Sequence, residues 1–117
     1  MMVEKETQDK AYEAIEIAKK TGKVQKGTNE VTKSIERGVA KLVVAASDID
    51  PKEVIMHLPV LCEEKSIPYI EVSSKEDLGA AAGLQVPTAS VAIIQEGDSK
   101  NLISELAKQS NGKTESK

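Results

Sequence analysis

Phenylalanine and tryptophan are missing from this chain of 117 residues, and tyrosine occurs only twice, at Tyr12 and Tyr69. A core must therefore be assembled from Val, Ile, Leu and Ala, and any mode of nucleic-acid binding that stacks bases on rings loses its main contact. The single cysteine, Cys62, excludes an intramolecular disulfide, and with one histidine, His57, it cannot build a structural zinc site. No apolar run approaches the ~18 residues of a membrane helix, and the charged first ten residues lack the apolar centre of a signal peptide. The expectation is a protein of a reducing, cytoplasmic setting with no membrane partner, metal or cofactor.

Hydrophobic residues make up 39% of the chain, enough for one folded domain, while the length is too short for two cores. Charge is unevenly placed. Between positions 19 and 41 stand seven basic residues (Lys19, Lys20, Lys23, Lys26, Lys33, Arg37 and Lys41) against Glu30 and Glu36, a local balance of +5 in a chain whose formal total is −3. Everything outside the window then sums to −8. Positive charge gathered in this way points to an anionic partner held at one place.

Periodicity places the elements. Ala11, Ala14, Ile15 and Ala18 fall on one stripe of a helix over 7–20 that Gly22 can end. An extended piece over 23–26 leads to a turn at Gly27; a second helix over 28–37 buries Val31 and Ile35, stops at Gly38, and turns Asn29, Glu30, Lys33 and Arg37 outward. The apolar run 41–46 reads as a buried strand. Asp50 and Pro51 suit the start of a helix carrying Val54, Ile55, Leu58, Leu61 and Cys62, with a bend at Pro59. A strand over 67–72 is followed by Ser73 and Glu76, a capping-box pair for a helix ending near Gly83. A loop over 84–90, a strand over 90–94 and a helix from Ser99, with Leu102, Ile103 and Leu106 inward, complete a domain over 1–109. The polar stretch 110–117 is expected to be disordered. Alternating helices and strands predict an α/β fold, a three-layer α/β/α sandwich on a central, four-stranded, mostly parallel or mixed sheet.

Most chemistry-bearing residues have an ordinary explanation. Gly22 and Gly27 have phosphate-loop spacing, but Thr28 follows where that motif needs Lys. Cys62 lies on the apolar side of its helix as a small hydrophobe, and His57 has no acid or Ser at relay spacing. Glu63 with Glu64 and Glu76 with Asp77 are hydrated helix faces, and the small residues from Gly79 to Gly83 suit close packing onto the sheet. No nucleophile, base and oxyanion arrangement is visible, so no enzymatic activity is expected.

Asn29, Glu30 and Lys33 stand apart. A solvated helix face would account for them, yet they sit at a helix N-terminus, where free N–H groups and the dipole attract phosphate. Lys26 and Arg37 flank them, and Gly27 lets a ligand approach the backbone. Glu30 would repel phosphate in that field and needs a donor. A guanine with a free Watson–Crick edge offers one through N1–H and N2–H, while its O6 accepts from Asn29 or Lys33. The loop Leu84-Gln85-Val86-Pro87-Thr88-Ala89 is a second surface, aliphatic where loops are polar. It is either a buried connection or, if it borders the 27–33 turn, an apolar cover for an extruded base.

The strings Gly27-Thr28-Asn29-Glu30-Val31-Thr32-Lys33, Leu58-Pro59-Val60-Leu61-Cys62-Glu63, Ile67-Pro68-Tyr69, and Leu78-Gly79 through Gly83 with Val86-Pro87 resemble the kink-turn RNA-binding family of the archaeal ribosomal protein L-seven-Ae. The resemblance runs from about Asp9 to Leu106. It implies an α/β/α sandwich that binds kink-turns, sharply bent RNA elements with tandem sheared G·A pairs beside a three-nucleotide bulge. It also implies non-enzymatic work, as a monomer when free, in the large ribosomal subunit and in box C/D and H/ACA guide RNA particles with their proteins, and ribonuclease P as a further host. Carried over by motif position, Asn29, Glu30 and Lys33 would contact the sheared-pair guanines, Gly27 and Thr28 the adjoining backbone, and Lys26 a phosphate, with Arg37 alongside. Val54, Val86, Pro87 and Ala89 would form the pocket of the flipped-out nucleotide, with Leu84 on the same loop. Eukaryotic relatives carry Arg where this chain has Val86, and many archaeal ones Glu where it has Gln85. The alternative is a protein-binding adaptor on the same fold, whose mark would be loss of the Asn-Glu-Lys set that this chain keeps.

Overall fold

The computed structural model describes residues 5–48 and 56–108. In chain order the elements are α1 (Lys5–Thr21), β1 (Lys23–Lys26), α2 (Thr28–Glu36), β2 (Leu42–Ala46), α3 (Leu58–Lys65), β3 (Tyr69–Val72), α4 (Lys75–Ala81) and β4 (Ser90–Gln95). A 3-10 turn, Gly97–Ser99, then runs into α5 (Lys100–Lys108). The four strands form one sheet in the order β1-β4-β2-β3.

Strand β2 shows why the layers form. It is buried along its whole length, and successive side chains of a strand point to opposite faces. Leu42, Val44 and Ala46 pack with Ala11, Ala14, Ile15 and Ala18 of α1, Leu78 and Ala81 of α4, and Ile103 and Leu106 of α5. Val43 and Ala45 pack with Val31 and Ile35 of α2 and Leu58 and Cys62 of α3. Among the described residues three helices thus cover one face and two the other, the expected three layers.

The sheet is mixed, with only the β2–β3 pair parallel, while β4 runs antiparallel to both β1 and β2. The returning loop decides this. From the end of α4 the chain doubles back along that helix, with the Thr88 N–H donating to the Lys75 carbonyl at 3.2 Å, and so enters β4 at the end where β3 finished. A mostly parallel sheet would have needed one more helical crossover.

One helix start differs from the expectation. Helix α4 is capped by Ser74, whose hydroxyl accepts from the Asp77 N–H at 3.1 Å, not by Ser73, whose own N–H donates to Gln8 Oε1 at 2.8 Å. Helix α3 is described from Leu58, with Pro59 in its first turn, where a proline is well tolerated. The proposed start at Asp50 and Pro51 lies outside the described residues, as do Val54 and the tail 110–117.

Candidate nucleic-acid interface

Strand β1 and helix α2 meet at Gly27, whose backbone has φ 94° and ψ 145°, a conformation that L side chains rarely adopt. A Cβ at this position would meet nothing within 4 Å, so glycine is required here by the backbone and not by space. Having no side chain, Gly27 gives α2 no side-chain cap, and the N–H groups of its first turn have no acceptor within the helix. The Gly27 carbonyl accepts from the Val31 N–H at 2.9 Å, and its N–H donates to the Ser90 carbonyl at 3.1 Å. The helix end is therefore pinned to the first residue of β4.

Asn29, Glu30 and Lys33 are exposed, as is Lys26 at the end of β1. Their spacing puts them on one side of α2, opposite the buried Val31 and Ile35. Glu30 in the first turn suits the helix dipole. Thr28 is half-buried, with Oγ1 3.4 Å from Ser90 Oγ. On the flank of α2, Thr32 Oγ1 lies 2.9 Å from His57 Nε2, tying α2 to the start of α3. Arg37 is exposed but caps the far end of α2, nine residues beyond Thr28, or about 13 Å along the axis.

The aliphatic loop borders this helix end through its last residues. Thr88 is buried, and its Oγ1 donates to the Ser90 carbonyl at 3.2 Å, the same oxygen that accepts from Gly27. The Ala89 carbonyl accepts from the Ala46 N–H at 2.9 Å, and Ala89 itself is half-buried against the cluster containing Val31. Val86 is 62% exposed, and Pro87 is exposed beside it. Leu84, in contrast, packs against the main core and serves the fold. Between the loop and α4 lies a hollow of about 310 Å³ bordered by Glu76, Ala80 and residues 84–87.

Gly79 shapes that loop. A Cβ there would overlap the Val86 carbonyl oxygen and lie 3.2 Å from Pro87 Cα. The expectation that this glycine serves helix-to-sheet packing is corrected: it gives room to the loop.

The basic window is divided by the fold. Lys26 and Lys33 belong to the Gly27 end, whereas Lys23 pairs with Gln95 at the opposite end of β1, and the Lys41 N–H bonds to the Ile93 carbonyl just before β2. Lys19 and Lys20 occupy the last turn of α1, at that same remote end. A single cationic spot is thus not formed. Burial raises the Cys62 thiol to about 12, which removes it as a nucleophile near neutrality. Among the described residues no group of three or more His, Cys, Asp or Glu side chains could hold a metal, and no helix is long and apolar enough to cross a membrane.

Residues 9–103 match the Ribosomal protein L7Ae/L30e/S12e/Gadd45 family. The chain belongs to this family. A solved structure of the Giardia lamblia 15.5kD RNA binding protein superposes with a TM-score of 0.87 at 31% sequence identity, over 93% of this chain and 91% of that one. The α/β sandwich and its four-stranded sheet are thus the family's fold, and membership supports an RNA-binding, ribosomal-type role. Sequence reasoning missed the fastening residues of this surface: Thr88, Ser90, Thr32 and His57. The hydroxyls at 88 and 90, set into an apolar stretch, were the available signal.

Proposed function

We propose that this chain is a kink-turn RNA-binding protein of the archaeal ribosomal type. The supporting observation is an exposed amide, carboxylate and ammonium, Asn29, Glu30 and Lys33, on one side of a helix that starts without a side-chain cap. A site for phosphate alone would not carry Glu30. A mixed acceptor and donor set suits a guanine edge, with the first-turn N–H groups, Thr28 and Lys26 holding the adjoining backbone. Val86 and Pro87 then cover the flipped-out nucleotide by apolar contact, with Ala89 completing the described part of its pocket. With neither Phe nor Trp in the chain and Tyr69 buried in the core, this is how the protein holds an extruded base.

The hosts we propose are kink-turns of large-subunit rRNA and of box C/D and H/ACA guide RNAs, with ribonuclease P RNA as a further one. The protein nucleates assembly in the cytoplasm without catalysing a reaction. Binding draws the bent RNA from its extended form because the contacts exist only with the bent state. The test is titration into a short kink-turn RNA and into the same RNA with its sheared G·A pairs replaced by G·C, at about 150 mM salt. A large preference for the kink-turn is expected. Equal, weak binding to both RNAs overturns the reading and favours a protein-binding adaptor.

A further inference from the structure

Two parts of the proposed RNA surface, the Gly27 end of α2 and the loop over 84–89, come from distant parts of the chain and share one fastening point. The Ser90 carbonyl, on a fully buried residue, accepts from the Gly27 N–H at 3.1 Å and from Thr88 Oγ1 at 3.2 Å. A carbonyl oxygen has two lone pairs, and both are used. Thr88 is held a second time by its own N–H on the Lys75 carbonyl, so its backbone position belongs to α4 while its hydroxyl reaches the β1–α2 turn's partner. The Thr28 Oγ1 to Ser90 Oγ separation of 3.4 Å and the Thr88 Oγ1 to Ser90 carbonyl separation of 3.2 Å are both long for an O–H···O bond, but the second is buried from water and is the one that fastens the loop.

We infer that Thr88 is a positioning residue for RNA binding: its hydroxyl, through the Ser90 carbonyl, sets the aliphatic loop relative to the helix end that reads the guanines. This rests on the kink-turn reading. Pro87 and Val86 stand one and two residues from Thr88, and both are exposed, so the backbone on either side of them controls where they meet a nucleotide. A loop that must order on binding costs affinity, and a loop already fastened does not.

The test uses Thr88→Val, which keeps the shape and removes the hydroxyl, and Thr88→Ser, which restores it. Thr88→Val is expected to weaken kink-turn binding by roughly two- to tenfold, the worth of one hydrogen bond. Thr88→Ser should stay within about twofold of wild type. With an RNA whose flipped-out nucleotide is abasic, Thr88→Val and wild type should bind alike, because the loop then has nothing to cover. Amide hydrogen exchange of the free protein supplies a readout without RNA: Gln85, Val86 and Thr88 should exchange faster in Thr88→Val while the strand amides do not change. A Thr88→Val variant with faster loop exchange and wild-type affinity for the intact kink-turn overturns the positioning role. Unchanged loop exchange overturns the fastening itself, and failure of wild type to prefer the kink-turn overturns the underlying function.

Discussion

Replacing Gly79 by Ala tests whether the loop's seat on α4 controls both stability and binding. The added methyl overlaps the Val86 carbonyl oxygen and comes to 3.2 Å from Pro87 Cα, in a helix position that is buried. Both obstacles are backbone, so no side-chain rotation relieves them. The loop must move outward by about 1 Å to recover ordinary contact, or give up the bond from the Leu84 N–H to the Gly79 carbonyl at 2.9 Å. Overpacking of this kind costs about 1–3 kcal/mol, and the better helix propensity of Ala returns about 1 kcal/mol. The net loss of about 0–2 kcal/mol lowers Tm by up to about 10 °C. Affinity should suffer more clearly, because the displaced loop carries Val86 and Pro87: a five- to tenfold weaker kink-turn complex corresponds to about 1–1.4 kcal/mol of lost contact. Calorimetry and RNA titration on the same variant separate the terms. Lower Tm with wild-type affinity refutes the loop as an RNA contact, and no change in either refutes the packing of Val86 on Gly79.

Glu30→Ala should weaken kink-turn binding by about 1–3 kcal/mol, the worth of a base-edge contact, and equal affinities in a titration would remove Glu30 as a reader. Lys26→Ala should make the dependence of log K on log salt shallower by about 0.7–0.9 without altering the preference for kink-turn over its G·C control, so a changed preference with an unchanged slope contradicts the phosphate assignment. Because the window is divided, the wild-type slope with a minimal kink-turn should be about −2 to −3, as for three phosphate contacts; a slope near −6 would mean that all seven basic residues act together. The Cys62 thiol, raised by burial from 9.0 to about 12, makes the folded state hold its proton where the unfolded chain releases it. Its contribution to stability is therefore complete below pH 9 and is lost as pH rises above that value. Thermal melts at increasing pH should show a shallower alkaline decline in Cys62→Val, and an identical decline would exclude this source.

The elements were legible because each carries its own period: the Ala11-Ala14-Ile15-Ala18 stripe of α1, the continuous run of β2, the outward Asn29, Glu30 and Lys33 opposite Val31 and Ile35. What local pattern could not decide was settled by partners far away in the chain. Ser73 with Glu76 and Ser74 with Asp77 satisfy the same capping rule, and the choice falls to Ser74 because Gln8, 65 residues away, takes the Ser73 N–H. Gly79 could not be assigned to the loop from its helix, since its neighbour Val86 is a matter of how the chain returns. The direction of β4 hung on that same return. The proposed reading surface was visible at α2 because it is one short segment, whereas its attachment to Thr88 and Ser90 required two distant segments to meet.

The division of charge bears on how such a surface selects its RNA. Had the seven cations formed one spot, any RNA backbone would have been held by charge alone, and Glu30 would only have reduced the affinity. With Arg37 about 13 Å along α2 and the remaining lysines at the other end of the strands, most of them lie beyond the ~8 Å screening length from the Gly27 turn at physiological salt. The attraction left at the turn comes from Lys26, Lys33 and the helix end, and Glu30 offsets part of it. An RNA that cannot give Glu30 a donor therefore gains little from this surface. On the kink-turn reading proposed above, one that presents a guanine edge there would turn the same carboxylate from a repulsive group into a bonded one, and the difference between those two outcomes, more than total charge, would set the preference.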